Sequence, residues 1–245
     1  MTKQTIAILG GTGPEGKGLA MRWAAAGYPV IIGSRDAARA QRIADELKAQ
    51  APGGNLTGAA NHDAAQQAEL VVLTTPFEGQ AGILEQVKDA LQGKILVTAV
   101  VPLDPSAKRR APQMPDGPAA VQAQRQLGDG VKVVGAFHNV GAHQLQDPEA
   151  EVDCDVLVCG DDRAAKEVVI ALAQDGGMRA WDAGALANAI IPEGLTSEDV
   201  EKAAADDAKT DKAEEKKKDS DAKGKLPPKK KPTPKGSDSN KGKGK

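Results

Sequence analysis

The chain has 245 residues, 40% hydrophobic and 27% charged, an average that suits a globular protein. The average hides two unlike parts: residues 1–200 carry a net charge of −8, while residues 201–245 hold 15 lysines against 9 acids, with Leu226 their one aliphatic side chain larger than alanine. A segment of that composition cannot bury a core and is expected to be a disordered lysine-rich tail. The acidic remainder argues against specific nucleic-acid binding. No apolar run of about 18 residues is present to span a bilayer, and residues 1–9 lack a signal-type layout, so a cytoplasmic protein with no membrane partner is expected.

Thr5-Ile-Ala-Ile-Leu9 reads as a strand buried on both faces and ending at glycines. Pro14 suits a first helical turn, Leu19, Ala20, Trp23 and Ala24 recur on one face, and Gly27 is placed to close that helix. Residues 28–33 form a second strand, and Asp36 can cap a helix to about Gln50 with Ala40, Ile43, Ala44 and Leu47 as its inner stripe. Apolar runs at 56–60, 70–75, 95–101 and 131–137 continue the pattern, separated by helical periodicity at 83–91 and 119–127. A smaller unit follows, with a strand at 154–160, a helix at 163–174 and a strand at 179–182, and Pro192 and Gly194 interrupt a last helix from Leu186. Alternation of this kind specifies an α/β Rossmann-type doubly wound parallel sheet with a small C-terminal α/β unit. The expected organisation is a nucleotide-binding domain at 1–140, a small unit at 141–200 closing the cleft, and the tail at 201–245.

Gly11-Thr-Gly13-Pro-Glu-Gly16 fits the G-x-G-x-x-G turn directly after a strand and at the opening of a helix. Gly11 permits the tight turn, Gly13 lets backbone N–H groups approach a pyrophosphate, and Gly16 lets helix and strand pack closely. The helix N-terminus adds partial positive charge. Where an acid would accept ribose hydroxyls from NAD, this chain has Ser34-Arg35. A guanidinium there suits the 2′-phosphate of NADP, with the Ser34 hydroxyl as a further donor and Arg39 one helical turn on. Cys154 and Cys159 lie five apart on a strand, which turns them to opposite faces, so buried thiols are expected. Nothing brings three metal ligands together, and Asp161-Asp162 reads as the cap of the following helix.

The stretch Ile8-Leu-Gly-Gly-Thr-Gly-Pro-Glu-Gly-Lys-Gly-Leu-Ala-Met-Arg-Trp-Ala, followed by Val-Ile-Ile-Gly-Ser34-Arg35, resembles the NADPH-dependent F420 reductases (F420H2:NADP oxidoreductases). Further matching motifs come in order: Leu73-Thr-Thr-Pro-Phe-Glu78, Val101-Pro-Leu103, Gly135-Ala-Phe-His-Asn-Val140, Cys154-Asp-Val-Leu-Val-Cys-Gly-Asp-Asp162 and Arg179-Ala-Trp-Asp-Ala-Gly-Ala-Leu186. The resemblance implies an oxidoreductase passing a hydride between NADP and the deazaflavin coenzyme F420 as co-substrate, and leaves a homodimer open. It places Thr12, Ser34, Arg35 and Arg39 toward the adenine nucleotide, Pro76 and Phe77 at the sheet's carboxyl edge, and His138 and Val140 near the stacked rings, with Leu195-Thr196 near the deazaflavin. Beyond Thr196 the family pattern of an apolar helix gives way here to Ser197-Glu-Asp-Val-Glu and the lysine-rich tail.

Hydride transfer needs donor and acceptor carbons held about 3–3.5 Å apart in a dry stack, and no catalytic dyad. Pro76, Phe77 and Val140 suit such a slot, and His138 suits a hydrogen bond to a ring carbonyl. Two rival readings remain open from sequence: a reductase using NADPH on a flavin or a small imine or carbonyl compound, and a non-catalytic NADPH-binding protein.

Overall fold

Ile6–Leu9 (β1) has every residue buried, as its unbroken apolar run requires of a strand covered on both faces. The computed structural model describes residues 3–50, 53–102, 114–147 and 151–195, all within one compact unit, Met1–Lys202. After β1 the chain runs through α1 (Pro14–Ala25), β2 (Val30–Ser34), α2 (Ala37–Gln50), β3 (Leu56–Ala60), α3 (Asn61–Gln67), β4 (Leu70–Leu73), α4 (Phe77–Val87) and β5 (Ile95–Thr98). It continues with α5 (Ala119–Leu127), β6 (Lys132–Gly135), α6 (Ala142–Leu145), β7 (Asp155–Gly160), α7 (Arg163–Asp175), β8 (Arg179–Asp182) and a 3-10 turn at Leu186–Ala189.

The eight strands form one sheet in the order β3-β2-β1-β4-β5-β6-β7-β8. The order reverses between β1 and β4, the switch point outside which an open α/β sheet binds its ligands. Strands β1 to β6 are parallel; β7 pairs antiparallel with β6, and β8 parallel with β7. The expected α/β unit at the C-terminus therefore extends the sheet in the opposite direction. Leu19, Trp23, Ala40, Ile43 and Val169 of α1, α2 and α7 cover one face, while Ala64, Leu84, Ala123 and Leu186 cover the other.

Local signals explain most boundaries. Pro14 is the first residue of α1, and Gly27, at φ 88°, follows its end. Asp36 Oδ1 accepts from Ala38 N at 2.9 Å and Arg39 N at 3.2 Å, which caps α2, and the inner stripe Ala40, Ile43, Ala44 and Leu47 is buried. Asp162 Oδ1 accepts from Ala165 N at 2.8 Å and caps α7, while Asp161 accepts from Leu186 N at 2.9 Å. Both cysteines are free and lie in opposite core clusters.

Three expectations need correction. Helix α4 begins at Phe77, six residues before its apolar periodicity, because its first fully buried residue is the polar Gln80. Helix α3 carries only Ala64 and Ala65 as apolar inward residues, too weak a stripe to read. Pro192 and Gly194 do not interrupt the last helix: the 3-10 turn passes into helical residues 190–195. Pro192 falls in the first turn of that segment, where a missing N–H costs no hydrogen bond. Leu103, Thr196 and the tail at 201–245 lie outside the described residues.

Candidate active site

The glycine turn joins β1 to α1 at the carboxyl edge. Gly11 N donates to both Ile8 O and Gly33 O, each at 3.1 Å, which ties the turn directly to the end of β2. A Cβ on Gly11 would lie 2.7 Å from Ile8 O, and one on Gly16 would lie 2.6 Å from Gly11 Cα, so the fold itself demands both glycines. Gly10, outside the motif as read from sequence, is demanded by its backbone: its φ is 73°, and a Cβ there would lie 2.5 Å from Thr75 Cγ2.

Gly13 differs. It is the N-cap of α1 with an extended backbone, and a Cβ there would meet only Gly10 O, at an ordinary 3.7 Å. Nothing within the chain excludes a side chain at 13, whereas a pyrophosphate drawn up to the N-terminal amides of α1 would. No side chain caps those amides, so they remain available as donors. Thr12 is half-exposed on the same turn.

At the end of β2, Ser34 is buried, and its Oγ accepts from Asp36 N at 3.2 Å, which leaves its hydroxyl proton to donate elsewhere. Arg35 and Arg39 are exposed, and neither forms an ion pair among the described residues. The Asp36 cap brings Arg39 N to the start of α2, one turn from Arg35. Ser34, Arg35 and Arg39 thus stand within one helical turn of each other along the chain where β2 gives way to α2, residue types that suit a phosphate dianion. These residues fit the NADP reading: backbone room at Gly13, free amides at a helix N-terminus, and uncommitted cations at the 2′ position.

On the far side of the glycine turn from β2, at the end of the neighbouring β4, Pro76 is the exposed N-cap of α4, and Phe77 beside it is half-buried. The chain leaves β6 through Phe137, whose φ of 67° puts a bulky residue in the left-handed region. That turn sends consecutive rings to opposite sides of the sheet. Phe137 packs edge-on against Trp23 of α1, ring centres 5.7 Å apart at 71°, and Trp23 Nε1 donates to Leu172 O at 3.1 Å. His138 goes the other way and fills the space above Gly135, where a Cβ would lie 3.1 Å from His138 Cε1 and 3.3 Å from Ala189 Cβ. Val140 is buried in the cluster with Phe137.

The His138 side chain is therefore enclosed, with its pKa pushed down to about 3 by burial, so it is a neutral imidazole at physiological pH. Behind it lies a residue that sequence reasoning missed. Glu193, in the helical segment 190–195, is fully buried and accepts from Ala119 N at 2.8 Å and Ala120 N at 3.2 Å at the start of α5. Its Oε1 lies 3.9 Å from His138 Nε2, and burial pushes its carboxyl up to about 7 against the opposing pull of the two amides. Gln80 completes the cluster by donating to Ala119 O at 3.0 Å. A lone acid set among Ile190, Ile191, Pro192 and Leu195 was the available signal. Among the described residues no group of His, Cys, Asp or Glu is arranged to hold a metal ion.

The family described as NADP oxidoreductase, coenzyme F420-dependent, matches residues 5–102. The F420-dependent NADP reductase of Methanothermobacter marburgensis is 43% identical over 198 residues, 78% of this chain and 88% of that protein. That of Methanocaldococcus jannaschii is 42% identical over 199 residues, again 78% of this chain and 88% of the relative. The crystal structure of a candidate F420-dependent NADP-reductase from Arthrobacter sp. FB24 superposes with a TM-score of 0.65 at 31% identity, covering 78% of this chain and 89% of that one. With the glycine turn, the arginine corner and identity at this level over most of both lengths, the chain belongs to the F420-dependent NADP reductase family.

Proposed function

We propose that this protein transfers a hydride between NADP(H) and the deazaflavin coenzyme F420. The dinucleotide half of the reading is carried by the 3.1 Å bond from Gly11 N to Gly33 O, which joins the N-terminus of α1 to the segment holding two arginines without ion-pair partners among the described residues, and the deazaflavin half by 43% identity to an F420-dependent NADP reductase. The 2′-phosphorylated dinucleotide supplies the hydride-bearing nicotinamide when bound. The chain's contribution is to hold and orient.

Gly11, Thr12, Gly13 and Gly16 seat the pyrophosphate on the amides of α1, and Ser34, Arg35 and Arg39 bind the 2′-phosphate. These anchors at one end fix how far a nicotinamide ring reaches along the carboxyl edge toward Pro76 and Phe77, which border the ring slot and keep water from it. His138 and Val140 act from behind that slot. His138 over Gly135 and Val140 in the core hold the 137–141 backbone, and we assign both as positioning residues in support of ring stacking. A neutral His138 brings no charge that would attract water.

The reversal of strand direction between β6 and β7 supports a functional division into an NADP-binding part at 1–140 and a part at 141–200 that closes the cleft. A homodimer is supported by Ile190, Ile191 and Leu195, each more than half exposed. The acidic balance of residues 1–200 supports an absence of nucleic-acid partners, and two free thiols support a cytoplasmic location.

The test is absorbance with the purified full-length protein. NADPH should bleach the deazaflavin band of oxidised F420 in a protein-dependent way, and no bleaching at high protein concentration would overturn the proposal. Bleaching of a free flavin or reduction of an imine in its place would favour the rival reductase reading.

A further inference from the structure

Arg35 and Asn61 occupy equivalent places on neighbouring strands. The parallel register pairs Ser34 with Ala60, so the residues that leave β2 and β3 stand level at the carboxyl edge. Asn61 is only 4% exposed, and its Oδ1 is buried with no donor among the described residues. A buried amide oxygen in that state is a standing cost that a fold rarely carries without use.

The fold makes no use of the polarity. Asn61 is the first residue of α3, yet the cap position belongs to Ala60, and no side chain caps that helix. Its oxygen instead lies against the backbone of β2: a Cβ on Gly33 would be 2.9 Å from Asn61 Oδ1 and 3.1 Å from Leu9 Cδ2. Gly33 is the residue whose carbonyl accepts from Gly11 N. The unused acceptor thus sits at the junction between the phosphate turn and the arginine corner, where the adenosine of a 2′-phosphorylated dinucleotide would lie.

We propose that Asn61 is a further NADP(H)-binding residue: its amide, enclosed against Gly33 in the unliganded chain, turns about the soft Cβ–Cγ bond so that Oδ1 accepts a hydrogen bond from a donor on the adenosine half of the dinucleotide. This rests on the assignment of the Arg35 corner to the 2′-phosphate. Two donors on that half answer the description, the exocyclic amino group of adenine and the free ribose hydroxyl. The inference also explains the glycine at 33: a side chain there would collide with the acceptor.

The experiment is isothermal titration of the full chain and its Asn61→Leu variant with NADPH, NADH and 2′,5′-ADP, the last carrying the adenosine half alone. Leucine keeps the volume and removes the acceptor. Losing the hydrogen bond should weaken NADPH and 2′,5′-ADP alike, by about 3- to 10-fold, while the melting temperature of the unliganded protein holds or rises because an unsatisfied oxygen has gone. Asn61→Ala serves the same purpose if leucine's branch prevents folding. With a hypoxanthine analogue of NADPH, disappearance of the variant's penalty identifies the adenine amino group, and persistence identifies the ribose hydroxyl.

Unchanged affinity of the variants for both ligands overturns the proposal. So does a loss for NADPH that spares 2′,5′-ADP, or a binding loss accompanied by a lower melting temperature. A wild-type chain that binds 2′,5′-ADP no better than 5′-AMP would sink the 2′-phosphate assignment itself, a failure distinct from that of Asn61 alone.

Discussion

Replacing Glu193 by glutamine tests whether the buried cluster behind His138 is built as described. The carboxylate accepts two amides, from Ala119 and Ala120, at 2.8 and 3.2 Å, and glutamine can satisfy one of them through its oxygen while its NH2 faces the other. That mismatch costs about 1–3 kcal/mol at a pH where wild-type Glu193 is protonated. The pH dependence is the sharper observable. Burial raises the Glu193 carboxyl from 4.5 to about 7. A raised folded value means its favourable contribution is present in full below pH 4.5 and is lost as pH rises to about 7. Linkage between those values makes wild-type stability fall by roughly 2.5 kcal/mol between pH 5 and pH 8 from this group alone. His138 acts in the opposite sense: lowered from 6.5 to about 3, it contributes stability that is present above pH 6.5 and lost as pH falls through that range. The groups facing Glu193 are the Ala119 and Ala120 amides, the His138 ring and the Cys159 thiol, which burial holds up at about 11 and so outside this range, with Gln80 one carbonyl away. The glutamine variant keeps the His138 arm and loses the Glu193 arm. Subtracting the two denaturant-unfolding profiles at pH 5, 6, 7 and 8 cancels every other titration, and the gap should shift toward the variant by roughly 2.5 kcal/mol across that range. Parallel profiles would show that Glu193 does not titrate in the folded state as its burial dictates, and the reasoning would fail.

Arg35→Ala should weaken NADPH by about 10- to 100-fold through loss of a charge-assisted bond to the 2′-phosphate, with NADH affinity unmoved; titration with both nucleotides checks the difference. Gly13→Ala should leave the melting temperature within a degree or two and weaken NADPH, because the nearest atom to the new Cβ is Gly10 O at 3.7 Å. Gly16→Ala, at 2.6 Å from Gly11 Cα, should lower stability itself, and a melt comparison of the pair separates ligand room from fold room. Arg22→Met should destabilise the protein by about 2–4 kcal/mol: its guanidinium donates to Gly176 O, Gln144 O and Asp147 O at 3.1, 2.9 and 2.6 Å, and methionine leaves those carbonyls behind.

What the sequence disclosed and what it withheld divide along a physical line. The strands β1 and β4, the inner stripe of α2 and the caps at Asp36 and Asp162 were legible because each rests on residues close in sequence: an apolar run, a 3.6-residue period, a side chain three places from the amide it satisfies. The glycine turn was legible for the same reason, except that Gly10 is required both by its left-handed backbone and by the room that Thr75, 65 residues further on, takes up, and no local pattern announces the second. The site's polar interior was illegible for a related reason. Glu193 satisfies amides more than 70 residues earlier, Gln80 meets a carbonyl 39 residues later, and Asn61 finds Gly33 through strand register. None of these partners is near in sequence, and only Glu193, among Ile190, Ile191, Pro192 and Leu195, has a neighbourhood that hints at burial. Pro192 misled in the same way: read as a breaker, it occupies a first helical turn, and the continued helix is what delivers Glu193 to α5. Buried polar groups are the part of a site whose reasons are non-local, so a charged or amide residue set in an otherwise apolar stretch is the feature to follow when sequence is all there is.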